Sequence, residues 1–172
     1  MNKNLLTLIL TFTLTANAYA QTCQTTIPAT TPTERFSPNT LGTVIDNKTG
    51  LMWKKCSEGQ TGSSCTGRAK TFSWEQAFEY VQTLNKNTGF EGYSDWRLPT
   101  INELRSLIEE RCVNPAVNAE VFPNTLSKAF WTSSPFAGFT NHAWYVNFDQ
   151  GYDNYLRIKY DGNYLRLVRS QQ

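Results

Sequence analysis

Four cysteines, Cys23, Cys56, Cys65 and Cys112, constrain this chain more than any other feature, because their chemistry depends on the compartment in which the chain folds. The first twenty residues set that expectation. One basic residue, Lys3, precedes an apolar run from Leu5 to Leu14, and small residues close in Ala18-Tyr19-Ala20, the pattern of a secretory signal peptide over residues 1–20, cleaved after Ala20. A permanent anchor needs about 20 apolar residues, and this run is shorter and broken by Thr7, Thr11 and Thr13. Ala20-Gln21-Thr22 before Cys23 is also unlike the Leu-Ala-Gly type of sequence that precedes a lipidated cysteine. The expectation is an extracytoplasmic protein, in a periplasm, on a cell surface or released, with no stable membrane insertion.

In that oxidising setting an even number of cysteines predicts two disulfides. Three pairings are open to four cysteines. Cys56 and Cys65 bracket SEGQTGSS, a loop that closes easily, which leaves Cys23 for Cys112. The second bridge ties a Thr/Pro-rich leader, residues 21–41, to a single domain over residues 42–172. Zinc is the competing use, but the cysteine spacings of 33, 9 and 47 contain no CxxC and the chain has one histidine. Removing Lys3 from 16 Lys+Arg leaves 15 against 14 Asp+Glu, a net charge of +1. Such a balance supplies no global field for nucleic acid, so any polyanion site has to come from local clustering.

Periodicity outlines the elements. Thr43 to Ile45 and Leu51 to Lys54 flank the turn formers 46–50, a hairpin signal. Ser73 with Gln76 makes a capping box, and Trp74, Ala77, Phe78, Val81 and Leu84 share one face of a helix predicted over 74–86. Thr100 with Glu103 repeats the box after Pro99, with Ile101, Leu104, Leu107 and Ile108 on one face of a helix predicted over 101–111. A short strand at Phe130 to Ser133 then precedes a period-two meander, Trp144 to Phe148, Tyr155 to Tyr160 and Tyr164 to Arg169, broken at Asp149-Gln150-Gly151 and Asp161-Gly162. The order predicts an α+β fold, helices packed on antiparallel sheet.

GYSDWRLPTINELRSLIE, Gly92 to Glu109, is the most specific stretch. With DNKTGLMWKKC upstream, FWTSS from Phe130, WYVNFDQG from Trp144 and LRLVR from Leu165, it resembles the Lcl C-terminal domain family over residues 42–169. The resemblance implies a C-type-lectin-like fold, with N- and C-terminal strands paired and two helices packed on the sheet. The family's namesake is a bacterial collagen-like adhesin whose domain binds sulfated glycosaminoglycans. This chain has no collagen stalk, so collagen-driven trimers do not carry over. In the WRLPT motif, Pro99 keeps Leu98 extended before Thr100 caps the second helix, which places Trp96 and Leu98 in the core; Asp95 and Arg97 are expected to bond backbone or each other.

No catalytic constellation stands out, and the chain reads as a non-enzyme. His142 lies in NHAWY, which matches no nucleophile signature. Glu109, Glu110, Asp149 and Asp153 are the carboxylates open to glycoside chemistry. Formylglycine-generating enzymes share the C-type-lectin-like fold and an RLPT-type turn but use cysteines near the C-terminal core, and this chain has none after Cys112. Calcium-binding lectin motifs, EPN, QPD and WND, are absent, so no cofactor is expected, although Asp149, Asp153, Asn154 and Asp161 leave room for an adventitious calcium ion.

Binding chemistry concentrates in the meander. Arg157, Lys159, Arg166 and Arg169 fall in two strands expected to be neighbours, interleaved with Tyr145, Tyr152, Tyr155, Tyr160 and Tyr164. A regular strand would put Tyr155, Arg157 and Lys159 on one face. Cations meet sulfate or carboxylate and tyrosines stack on sugars, so Arg157, Lys159, Arg166, Tyr155 and Tyr164 are the candidate ligand-binding residues. The expected partner is an anionic glycan, or an envelope or host protein; an adhesin-like binding module is the first reading and a structural component of an envelope, pilus or secretion complex the second.

Overall fold

The computed structural model describes residues 20–40 and 42–171. The export segment read at 1–20 therefore lies outside the described residues except for Ala20. No helix among them is long and apolar enough to cross a membrane. The fold is α+β, two helices with antiparallel sheets.

One four-stranded antiparallel sheet runs in the order β2 (Phe36–Pro38), β3 (Thr43–Asp46), β4 (Leu51–Lys54), β9 (Val168–Ser170). Its centre is the predicted hairpin, with Val44 opposite Trp53 and Asp46 opposite Leu51. Gly50, at φ 68°, supplies the left-handed turn residue, and Asp46 accepts the Gly50 N–H at its carbonyl. The chain's last strand pairs with this early hairpin, Met52 opposite Arg169. A second sheet holds β6 (Ala129–Pro135), β7 (His142–Asn147) and β8 (Tyr152–Ile158) in that order.

Helix α1 spans Trp74–Lys86, as the periodicity predicts, and both halves of the Ser73–Gln76 capping box form. It ends where Gly89, at φ 64°, returns its N–H to the Leu84 carbonyl. Its apolar face packs with Met52, Trp96, Leu98, Trp131 and Leu165 in one core cluster. Helix α2 covers only Ile101–Arg105, shorter than the predicted 101–111. The Ser106 hydroxyl donates to the Glu103 carbonyl, and Leu107 and Ile108 make tighter bonds to Leu104 and Arg105 three residues back. Ile108 then bridges Val117 as strand, which helical geometry forbids, yet Leu107 and Ile108 stay buried in the second core cluster with Trp53, Phe122, Phe130 and Phe148. Each such large side chain removed from water contributes about 1.5–3 kcal/mol.

The expected run from Tyr164 to Arg169 is not the next strand of the meander. β8 is the end of its sheet, and β9 belongs to the other one. Between them Tyr164 bridges Phe130 in parallel, while the Leu165 and Leu167 carbonyls accept the N–H groups of Glu58 and Lys54. This segment stitches the two sheets together and is buried from Leu165 to Arg169.

Both disulfides form as expected, Cys23–Cys112 and Cys56–Cys65. The leader adds strands to both ends of its path. β1 (Thr22–Cys23) pairs with β5 (Cys112–Val113), and β2 adds a strand to β3. Between these contacts Glu109, 2% exposed, accepts the N–H groups of Thr30 at 3.0 Å and Thr31 at 2.8 Å and the Thr31 hydroxyl at 2.8 Å.

Candidate functional site

The seven residues of β8 carry most of the predicted site, and their geometry departs from simple alternation. Ala143 is opposite Arg157, whereas Tyr145 is opposite Asn154, so two steps along β7 meet three along β8. The extra residue is a β-bulge, and it turns Tyr155 to the face opposite Arg157. Arg157 lies over the Tyr145 ring, 5.4 Å from its centre, with Asp161 at 3.6 Å. Lys159 follows on the same side: its ammonium sits 4.3 Å from the Trp74 ring centre and donates to the Thr140 carbonyl at 2.7 Å.

Arg166 and Tyr164 are drawn inward instead. Arg166 is 0% exposed. Its Nη1 donates to the Lys54 and Lys55 carbonyls and its Nη2 to the Thr125 hydroxyl at 2.7 Å, so it ties the inter-sheet segment to the end of β4. Burial draws its pKa down to about 9 and the Glu58 charge draws it back up, leaving it cationic at neutral pH. Tyr164 is half-buried, with its ring 5.7 Å from Phe130 in the core. Both corrections have one cause: a strand pattern of apolar and polar residues does not reveal that both faces of the segment are covered.

Tyr155 has other company. Its ring stacks on Phe136, centres 4.0 Å apart at 11°, and meets Trp144 edge-on at 5.3 Å. Phe136 also contacts Trp144 at 5.8 Å and Phe139 at 5.9 Å, and Phe139 contacts His142 at 5.3 Å. These side chains belong to neither core cluster; Phe139 is 54% exposed and the others are partly open. Gly138 makes the arrangement fit, since a Cβ there would come within 2.6 Å of the Phe136 ring. Sequence reading passed over Phe136 and Phe139 because they lie in the Gly-containing loop between β6 and β7; two aromatics in a loop of that kind were the available signal. Lys159 joins this loop through Thr140, which brings a cation to the border of the aromatic cluster.

The candidate carboxylates are dispersed. Glu109 holds the leader, Asp153 faces Arg105 at 3.8 Å, and Asp161 faces Arg157. Among the described residues no three His, Cys, Asp or Glu side chains gather into a set able to hold a metal ion.

The recognisable motif works for the fold. Trp96 and Leu98 are buried, Arg97 pairs with the Glu103 carboxylate at 2.7 Å through both terminal nitrogens, and Asp95 binds Arg169; Asp95 and Arg97 do not pair with each other. Arg97 also exchanges backbone hydrogen bonds with Val168. A family model described as the Lcl C-terminal domain matches residues 42–169. The chain belongs to the Lcl C-terminal domain family. A comparison with curated proteins returned no match. Within the Lcl C-terminal domain the WRLPT segment anchors the last strand, while β7, β8 and the loop between β6 and β7 present the aromatic and basic side chains.

Proposed function

We propose that this protein is an extracytoplasmic, non-catalytic binding module of C-type-lectin-like fold that recognises an anionic glycan, in the manner of an adhesin. The observation that carries the reading is the partly open cluster of Phe136, Phe139, Trp144 and Tyr155 beside Lys159. Aromatic faces offer sugar rings flat apolar contact, and an adjacent cation meets sulfate or carboxylate. Arg157 adds a second cation on the other face of β8, two residues before Lys159. The disulfides favour an oxidising compartment, and the pairing of β9 with β4 beside two helices agrees with the fold. Heparin chromatography of the mature, oxidised protein tests the proposal. Retention reversed by salt, reduced in Tyr155→Ala and in Arg157→Ala/Lys159→Ala, is the expected result; flow-through on heparin with silence on a glycan array rejects it.

A second reading, an assembly component of an envelope complex, is favoured by the open edge of β8, where Tyr152 and Ile158 are exposed and Tyr160 follows at 79%. Unpaired strand edges recruit other chains. A stoichiometric envelope partner in a pull-down, lost in Ile158→Lys, with glycans inactive, would favour it.

A further inference from the structure

Where the end of β4 meets the inter-sheet segment, two buried cations lie near a single buried carboxylate. Lys54, 6% exposed, reaches both oxygens of Glu58, 3% exposed, at 2.7 and 3.0 Å. Arg166, fully buried nearby, gives its hydrogen bonds to neutral acceptors, the Lys54 and Lys55 carbonyls and the Thr125 hydroxyl. The Tyr80 hydroxyl donates to Glu58 at 2.6 Å, and burial together with the Glu58 charge pushes the phenol well above its ordinary range, so it stays neutral. The group as a whole carries one net positive charge in an interior that penalises it.

Lys54 also lines a cavity of about 280 Å³. Phe90, whose ring centre is 4.0 Å from the ammonium, and Cys56 of the short disulfide form apolar walls; Gln60 and Gly62 lie on its margin, and Glu91 brings the one opposing charge. An ammonium has three N–H donors, and among the described residues Glu58 is the only acceptor this one meets. Gly42 keeps the space open: a Cβ there would come within 2.6 Å of the Phe90 ring and 2.8 Å of the Glu91 carboxylate.

We propose that this pocket binds a small organic monoanion, its carboxylate on Lys54 and a planar apolar body against Phe90 and the Cys56–Cys65 bridge. The volume suits a single aromatic ring and is too small for an oligosaccharide, so the site is separate from the glycan surface and stands or falls independently of it. The bound carboxylate occupies the remaining ammonium donor.

Titration of the full mature protein with phenylacetate, followed by amide NMR shifts and calorimetry, tests this, with neutral phenylacetamide as the comparison. Saturable shifts at Gln60, Gly62 and Phe90, and affinity for the acid at least about tenfold above that for the amide, are expected. Glu91→Gln removes the opposing charge without touching the buried pair, and it tightens the acid a few-fold while leaving the amide unchanged; Lys54→Met abolishes binding of the acid. Equal affinity for acid and amide, no saturation up to about 10 mM, or an unaltered acid affinity in Glu91→Gln overturns the proposal.

Discussion

Asp95 grips Arg169 with both oxygens, Oδ1 to Nε at 2.7 Å and Oδ2 to Nη2 at 3.1 Å, across 74 residues of sequence. The arginine side chain is 6% exposed and the aspartate 46%, so the pair seals the edge where β9 joins β4. The hydrogen bond from Arg169 holds the Asp95 carboxyl below the ordinary carboxylate range despite some burial. Asp95→Asn keeps the shape but leaves a nearly buried guanidinium half-matched. We expect a loss of about 1–2 kcal/mol, read as a lower urea midpoint with an unchanged slope. An unshifted midpoint would show that the Tyr93 ring, 4.0 Å from the same guanidinium, suffices.

Glu109 sets the pH dependence of the leader. Burial alone would raise its pKa, but the N–H groups of Thr31 and Thr30 and the Thr31 hydroxyl outweigh burial and lower it. A carboxylate lowered on folding adds stability above its unfolded pKa of about 4.3, and that stability is lost as pH falls through the lower folded value. Amide protection at Thr30 and Thr31, referred to the intrinsic exchange rate at each pH, should therefore fall on acidification below about pH 4.3. In Glu109→Gln exchange is fast throughout and no longer follows the acid limb; equal protection in both proteins would remove Glu109 from this role.

Arg166 divides the two uses of a cation. As an internal cross-tie, its replacement by Met strands the Lys54 and Lys55 carbonyls and the Thr125 hydroxyl. About 3 kcal/mol of stability should be lost, while the folded fraction keeps its heparin retention. Loss of retention at full stability would return Arg166 to the binding surface.

The disulfides should differ in weight. Cys23–Cys112 spans 89 residues and Cys56–Cys65 spans 9. Loop-closure entropy assigns about 4.5 and about 2.5 kcal/mol respectively. Cys23→Ser/Cys112→Ser should thus lower the guanidinium midpoint more than Cys56→Ser/Cys65→Ser; the reverse order would mean that the short loop, beside Lys54, is the more important constraint.

What depends on neighbours along the chain was legible in the residues alone. The Ser73 and Thr100 caps, the α1 face, the 46–50 hairpin turn and the Cys56–Cys65 loop all use residues within a few positions of one another, and each forms as read. Local pattern carried the start of α2 but not its end, because Ile108 is claimed by Val117 and Glu109 by the leader. Long-range packing takes Leu165–Arg169 out of the meander to bond the end of the first hairpin, buries Arg166 and sets a bulge between Asn154 and Arg157. Alternation states which side chains share a face, yet it is silent on which sheet a strand joins and whether both faces are covered. Those outcomes are fixed by burial over long sequence separations, as in the grip of Asp95 on Arg169 and in the two cations left with one carboxylate around Glu58.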